Sequence, residues 1–161
     1  MSSSLTPRRT VLLGLLGLAG CGFAPIYGAD TGLRGRVAFE TDASVAGFRL
    51  REQLEKRLGR SVAPEYALKT TVRSSQRAAA ITSEGDTSRF NIVGVATWTL
   101  IALEDGRQID GGEVEAFTSY SATGSTNATQ ATRDDAEARV SVILAELIVS
   151  RVLIRAAELD L

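Results

Sequence analysis

The chain has 161 residues, of which 44% are hydrophobic and 23% are charged, so it suits a single globular domain and not a disordered, collagen-like or polytopic membrane protein. Its formal net charge is −1, so the protein lacks the excess positive charge that binding a nucleic acid requires. One cysteine and no histidine exclude intramolecular disulfides, Cys/His metal sites and His-dependent nucleophiles. A carboxylate pair or a Ser/Lys arrangement stays open as an enzyme alternative, but no local spacing singles one out. We therefore predict a binding protein with no catalytic residue and no metal site, and not an enzyme.

Residues 1–20 have the pattern of a secretory signal peptide that is removed after export. Arg8 and Arg9 precede an apolar run, Val11–Ala19, which is shorter than the roughly 20 residues needed to cross a bilayer. The segment Leu18–Cys21 resembles the lipobox of bacterial lipoproteins. This resemblance implies a covalent diacylglycerol and acyl lipid on Cys21, and we expect no other cofactor.

The lipid on Cys21 predicts an outer-membrane, lipid-anchored protein, because Gly22 is not an acidic residue of the kind that retains lipoproteins at the inner membrane. The paired arginines before the apolar run fit either ordinary Sec export or a twin-arginine signal. Residues 21–35 are predicted to be the acylated cysteine and a flexible tether. The apolar side chains of Phe23, Ile26 and Tyr27 either pack on the domain or touch the membrane or a partner.

Residues 36–161 are predicted to form the α/β domain. Its first segment, Arg36–Thr41, is typical of a short strand. Asp42 and Ser44 then offer oxygens that cap a helix, and Gly59 is suited to end it. The apolar residues of this helix recur every four positions: Leu50, Leu54 and Leu58.

Alternation of side chains predicts three further strands. The first covers Tyr66–Arg73, and Ser74–Ser88 then has the composition of a long, mobile connection with frayed strand extensions at both ends. A central strand, Arg89–Leu103, has β-forming side chains on both faces. One face carries Val93, Val95, Thr97, Thr99 and Ile101, and the other carries Phe90, Ile92, Ala96, Trp98 and Leu100.

The Asp105–Gly106 turn predicts a hairpin to a fourth strand at Gln108–Tyr120, with a bulge at Gly111–Gly112. A long helix at Asn127–Glu158 follows, with apolar residues on more than one stripe. The element order β-α-β-β-β-α predicts an α+β fold, a two-layer α/β sandwich with two helices on one face of a four-stranded, mostly antiparallel or mixed sheet. If the other sheet face is apolar, it is a candidate contact surface.

These features together resemble the LPS-assembly lipoprotein family, LptE. The resemblance lies in Cys21–Gly28, in the helix around Leu50–Leu58, and in the Ala136–Leu153 part of the last helix. It implies binding to the outer-membrane β-barrel LptD, as a plug on the periplasmic side or inside the barrel lumen, and assistance in lipopolysaccharide insertion. The membrane is then contacted through the lipid anchor.

Two sets of candidate contact residues follow. Barrel contacts are expected from the hairpin strands, at Ile92, Trp98, Phe117 and Tyr120. Contacts to lipopolysaccharide phosphates are a second hypothesis, at Arg73, Arg77 and Arg89, although arginines at strand ends are usually solvated and Glu84 and Asp86 reduce the local positive field.

The main alternative is an accessory lipoprotein of another envelope lipid-transport system, of the PqiC kind. Such a protein shares the lipobox and the absence of a catalytic site, and differs in its partner. The basic residues of the first helix are interpreted as a solvated face, because Glu52 and Glu55 lie at pairing distance on it.

Overall fold

The computed structural model describes residues 32–81, 87–123 and 125–159, and it confirms the predicted fold class and element order. Cys21 and the predicted signal peptide lie outside the described residues. A mixed sheet has the strand order β1-β2-β3-β4, in which β1 and β2 are parallel and the other pairs are antiparallel. The elements are β1 (Val37–Thr41), α1 (Val45–Leu58), β2 (Tyr66–Ile81), β3 (Thr87–Ala102), β4 (Gln108–Ser121) and α2 (Thr126–Leu159).

Helix α1 begins and ends as its sequence predicts. The Ser44 hydroxyl accepts a hydrogen bond from the Gly47 N–H at 2.9 Å, which satisfies a donor of the first turn. At the other end Gly59 adopts φ 80°, and its N–H donates to the Glu55 carbonyl. Between these caps the leucine stripe is buried: Leu50, Leu54 and Leu58.

Both helices lie on the same face of the sheet and run parallel to each other. Arg49 pairs with Glu137 at 3.3 Å and Arg57 pairs with Glu146 at 3.0 Å, so increasing numbers on α1 match increasing numbers on α2. Residues from α1, α2 and the facing sides of β2, β3 and β4 form one core. Among the residues searched, no helix is long and apolar enough to span a membrane.

The predicted mobile connection Ser74–Ser88 is wrong for most of its length, because β2 continues to Ile81 and β3 begins at Thr87. The two strands pair from Tyr66↔Ala102 to the neighbourhood of residue 81, with register shifts after Ala78. Side chains from 73 to 80 are exposed on both faces, so this half of β2 needs no apolar alternation. That absence of alternation is why the sequence resembles a loop.

The predicted bulge at Gly111–Gly112 is also wrong in position. The irregularity lies between Leu100 and Ile101, whose partners are Asp110 and Gln108, so Ile109 is the extra residue of β4. Gly111 and Gly112 pair regularly with Thr99 and Trp98. A Cβ on Gly111 would lie 2.9 Å from the Trp98 carbonyl oxygen, so a close backbone approach requires glycine there.

The fold begins earlier than the predicted tether allows. Leu33 is fully buried, and the Gly35 N–H donates to the carbonyl of Leu58 at the end of α1 at 2.9 Å. Gly35 has φ 75°, a conformation that glycine adopts at little cost. Residues 32–35 therefore belong to the domain and not to the tether.

Candidate functional site

The sheet face opposite the helices has no covering element among the described residues. Side chains alternate across a strand, so the buried residues of β3 from Ile92 to Leu100 face the helices and the odd-numbered residues face away. We call this second surface the open face. On β3 it carries residues of intermediate exposure, namely Val93, Val95, Thr97, Thr99 and Ile101.

Charges on the open face are segregated by strand. The pairing register aligns Arg73 of β2, Val95 of β3 and Glu115 of β4 in one row, and Thr71, Thr97 and Glu113 in another. Basic side chains therefore lie on the β2 side, at Lys69, Arg73 and Arg77. Lys69 pairs with Glu40 of the adjacent β1 at 3.3 Å, so Arg73 and Arg77 carry the unpaired positive charge of this side among the described residues. Acidic side chains lie on the β4 side, at Glu113 and Glu115, and a mostly uncharged strand separates the two.

Phe117 is the largest exposed apolar side chain of the open face. It lies on β4 opposite Val93, which in turn pairs with Ser75, and 66% of its surface is exposed. Its neighbour Ser119 donates a hydrogen bond to the Asn91 side-chain oxygen at 2.7 Å. An aromatic ring beside valines on a flat, uncovered sheet is a surface suited to protein contact.

The four predicted barrel-contact residues separate into two groups. Ile92, Trp98 and Tyr120 are 2%, 3% and 6% exposed and belong to the core between sheet and helices, and the Tyr120 ring stacks on Phe90 at 5.5 Å. They are core side chains in this structure. Phe117 is the member of the set that offers an accessible surface.

The three arginines predicted to contact phosphates lie on one side of the sheet. Arg77 pairs with Asn91 of β3, and Arg89 lies two residues before Asn91 in the chain. Both therefore lie toward the turn end of the β2–β3 hairpin. Arg73 lies four residues further along β2. All three are exposed, and none pairs with a carboxylate among the residues described.

Other charged groups near the sheet are held by local partners. Arg36 forms a bidentate ion pair with Glu65, whose two oxygens accept from Nε and Nη2, and its guanidinium lies 5.4 Å from the Tyr66 ring centroid. The hydrogen bond from Arg36 lowers the pKa of Glu65 below its usual value. This cluster fixes the start of β1 against the start of β2.

The acidic half of the open face was missed by the sequence interpretation. The alternation of Glu113 and Glu115 with the buried Val114 and Ala116 already indicates that both carboxylates share one face. Their alignment with the basic residues of β2 depends on how both strands pair with β3, and that register cannot be deduced from the sequence. In the parts of the chain that were searched, no group of acidic or cysteine side chains could hold a metal ion.

A family model described as "LptE: Lipopolysaccharide-assembly" matches residues 36–152 of the chain. The matched range includes the whole sheet, α1 and most of α2. No curated protein matches the sequence significantly.

Several solved structures share the fold. A Caulobacter crescentus CB15 protein is 21% identical, with a TM-score of 0.68 over 80% of this chain and 95% of that one. The rare lipoprotein B of Shewanella oneidensis is 10% identical, with a TM-score of 0.61 over 78% and 98%. A minor lipoprotein of Acinetobacter baumannii is 17% identical, with a TM-score of 0.56 over 74% and 90%. Identities this low show a common fold and nothing finer.

Proposed function

Because the chain belongs to the lipopolysaccharide-assembly LptE family, we propose that it is an outer-membrane lipoprotein that binds an LptD-type β-barrel through the open face of its sheet. In this role it sits on the periplasmic side or within the barrel lumen and assists insertion of lipopolysaccharide. The single observation that carries the proposal is the family match. The sheet face that the chain's own helices leave uncovered supports it.

The open face supports binding to a protein wall. It combines the exposed Phe117 ring, half-buried valines and charged strips of opposite sign on β2 and β4. Aromatic anchors surrounded by polar groups are typical of interfaces, whereas a catalytic site needs converging groups in a cleft. The proposal therefore assigns the domain a binding role.

The lipid anchor is part of the same proposal. Cys21 would carry the lipid, which adds about 0.8 kcal/mol of membrane affinity for each buried methylene. Residues 22–31 would then join the anchor to Leu33, the first core residue described. Metabolic labelling with an alkyne fatty acid should tag the wild-type protein and leave Cys21→Ser unlabelled.

Co-purification tests the barrel contact. Phe117→Arg replaces the exposed aromatic ring of the proposed interface by a charge, so it should reduce recovery of the barrel in mild detergent at least about tenfold, the loss expected for an anchor residue. Phe48→Arg is the matched control, since Phe48 is 61% exposed but lies on α1 in the other layer. It should leave recovery unchanged.

Two outcomes would contradict the proposal. If wild-type lipidated protein recovers no outer-membrane barrel, the family role does not extend to this chain; recovery of an envelope-spanning lipid-transfer complex would instead favour the alternative transport role. If Phe117→Arg and Phe48→Arg reduce recovery equally, the open face is not the contact surface.

A further inference from the structure

A cleft of about 230 Å³ lies between the last turns of α2 and the beginning of β4, away from the open face. Arg151, Arg155 and Glu158 follow one another at helical spacings of four and three, so they line the same side of α2. The sheet contributes its side of the wall from β3 and β4. The polar and aromatic lining is Trp98, Asp110, Gly111, Arg151, Arg155 and Glu158.

Two buried hydrogen-bond donors of this lining have no partner among the described residues. They are Nε1 of Trp98, a residue that is 3% exposed, and Nε of Arg155. A buried N–H without an acceptor is unfavourable, and native structures rarely leave one. The exposed Arg151 guanidinium also lacks a carboxylate partner in the described part of the chain.

One glycine of β4 lies beside the indole N–H, and the preceding glycine lies beside the Trp98 backbone. Gly112 pairs with Trp98 across the sheet, and a Cβ added there would lie 3.7 Å from Nε1. A side chain at this position would therefore lie in van der Waals contact with the donor and occupy the space beside it. Gly111 brings the backbone close to Trp98 and itself lines the cleft.

The carboxylates of the cleft are already engaged by neighbours. Glu158 accepts from Arg155 Nη1 at 2.9 Å, and Asp110 Oδ1 accepts from the Gly111 N–H at 2.8 Å. Neither satisfies Trp98 Nε1 or Arg155 Nε. The unmet requirement of the cleft is an acceptor, because every unpaired buried group in its lining is a donor.

We propose that this cleft binds a phosphate group, whose oxygens accept from Trp98 Nε1, Arg155 Nε and the Arg151 guanidinium. Guanidinium groups favour oxyanions because they present several donors in a fixed plane. The volume exceeds the roughly 30 Å³ share of a single water several times over, so it holds a phosphate with part of the group that carries it. Either free phosphate or a lipid headgroup supplies this chemistry.

Trp98 is the single tryptophan of the chain, so its signals report on the cleft directly. In the full-length protein, titration with inorganic phosphate should shift the indole N–H resonance of Trp98 downfield and change the fluorescence of Trp98. Dihexanoyl phosphatidylglycerol, used below its micelle concentration, tests the headgroup. Tighter binding of the lipid identifies a headgroup site, and tighter binding of inorganic phosphate identifies a free-phosphate site.

Arg151→Gln and Gly112→Ala provide independent variants. The first removes a charged donor, and the second places a methyl group beside Nε1, where it makes only ordinary contacts but takes up space that a bound oxyanion needs. Each should weaken binding about tenfold, as expected for loss of a hydrogen bond to a charged group. Arg139→Gln makes the same change further back on α2, where Arg139 pairs with Asp135, and should bind like wild type.

The proposal is overturned if neither probe moves the indole signal, if sodium chloride at equal ionic strength moves it equally, or if both variants bind like wild type. These results are independent of the barrel partner, because the measurement uses the isolated protein. Failure of the barrel co-purification would leave this inference standing, and the reverse also holds.

Discussion

Gly94 lies where side chains of α2 pack directly against the backbone of β3. A Cβ placed on it would come within 2.4 Å of Val140 Cγ1 and 3.0 Å of Leu144 Cδ1. Val140 has a stiff, β-branched side chain in a helix, so it cannot turn away cheaply. This residue shows how a single missing side chain sets the distance between the two layers.

Gly94→Ala should therefore destabilise the domain by about 1–3 kcal/mol, the usual cost of overpacking a core. Urea unfolding followed by Trp98 fluorescence measures this change in the free energy of unfolding. Gly112→Ala is the matched control on the neighbouring strand, since its Cβ would have nothing nearer than 3.7 Å. Equal stability of the two variants would show that the layers adjust at Gly94.

Among the elements, α1 could be predicted from sequence and the β2–β3 hairpin could not. The leucine spacing and the caps at Ser44 and Gly59 are local signals, and each matches the structure. The end of β2 has no such signal, because its stability comes from pairing with β3 and both of its faces are exposed. Alternating hydrophobicity reveals a strand only when one of its faces is buried, and side chains 73–80 of this hairpin are exposed on both faces.

The charged surface of α1 predicts a specific pH dependence. The hydrogen bond from Arg51, with a second from Arg60, lowers the pKa of Glu55 despite the opposing effect of burial. Because the folded pKa is the lower one, the contribution to stability is complete above the unfolded pKa of about 4.3 and is lost as pH falls through the folded pKa.

Glu55→Gln should accordingly reduce stability by up to about 1 kcal/mol at neutral pH, and its deficit should shrink below about pH 4. Urea unfolding of both proteins at neutral and acidic pH measures the difference. Glu52→Gln is the control, since the Glu52 side chain is 62% exposed and pairs with Lys56 alone among described residues. A deficit that persists unchanged in acid would contradict the assigned role of the carboxylate.

At the scale of the whole molecule, the element order was enough to predict two helices on one face of a four-stranded sheet, and hence that the other face is uncovered. The residues on each face of β3 followed from alternation alone. The burial of Ile92, Trp98 and Tyr120 in the core could not be predicted, because sequence does not say which apolar face of the sheet the helices occupy. The positions of the basic strip on β2 and the acidic strip on β4 could not be predicted either, because they depend on the register of three strands.

The basic and acidic strips make the open face electrostatically asymmetric, with positive charge along β2 and negative charge along the edge strand β4. A barrel surface that docks on the open face must present acidic groups opposite β2 and basic groups opposite β4. Such complementary charges should increase the association rate more than the affinity. Reversing one row with Arg73→Glu and Glu115→Arg keeps the net charge and the central Val95 but inverts the order.

This double variant should slow association with the barrel at low salt by about tenfold or more, and the difference from wild type should diminish at high salt. Surface plasmon resonance on detergent-solubilised barrel at several salt concentrations measures both rates. A charge-matched control reverses Arg139 and Asp135, which pair with each other on α2 in the opposite layer. If both double variants associate at the wild-type rate, the segregated charges do not orient the complex, whereas a loss confined to the Arg73/Glu115 row assigns the orientation to the open face.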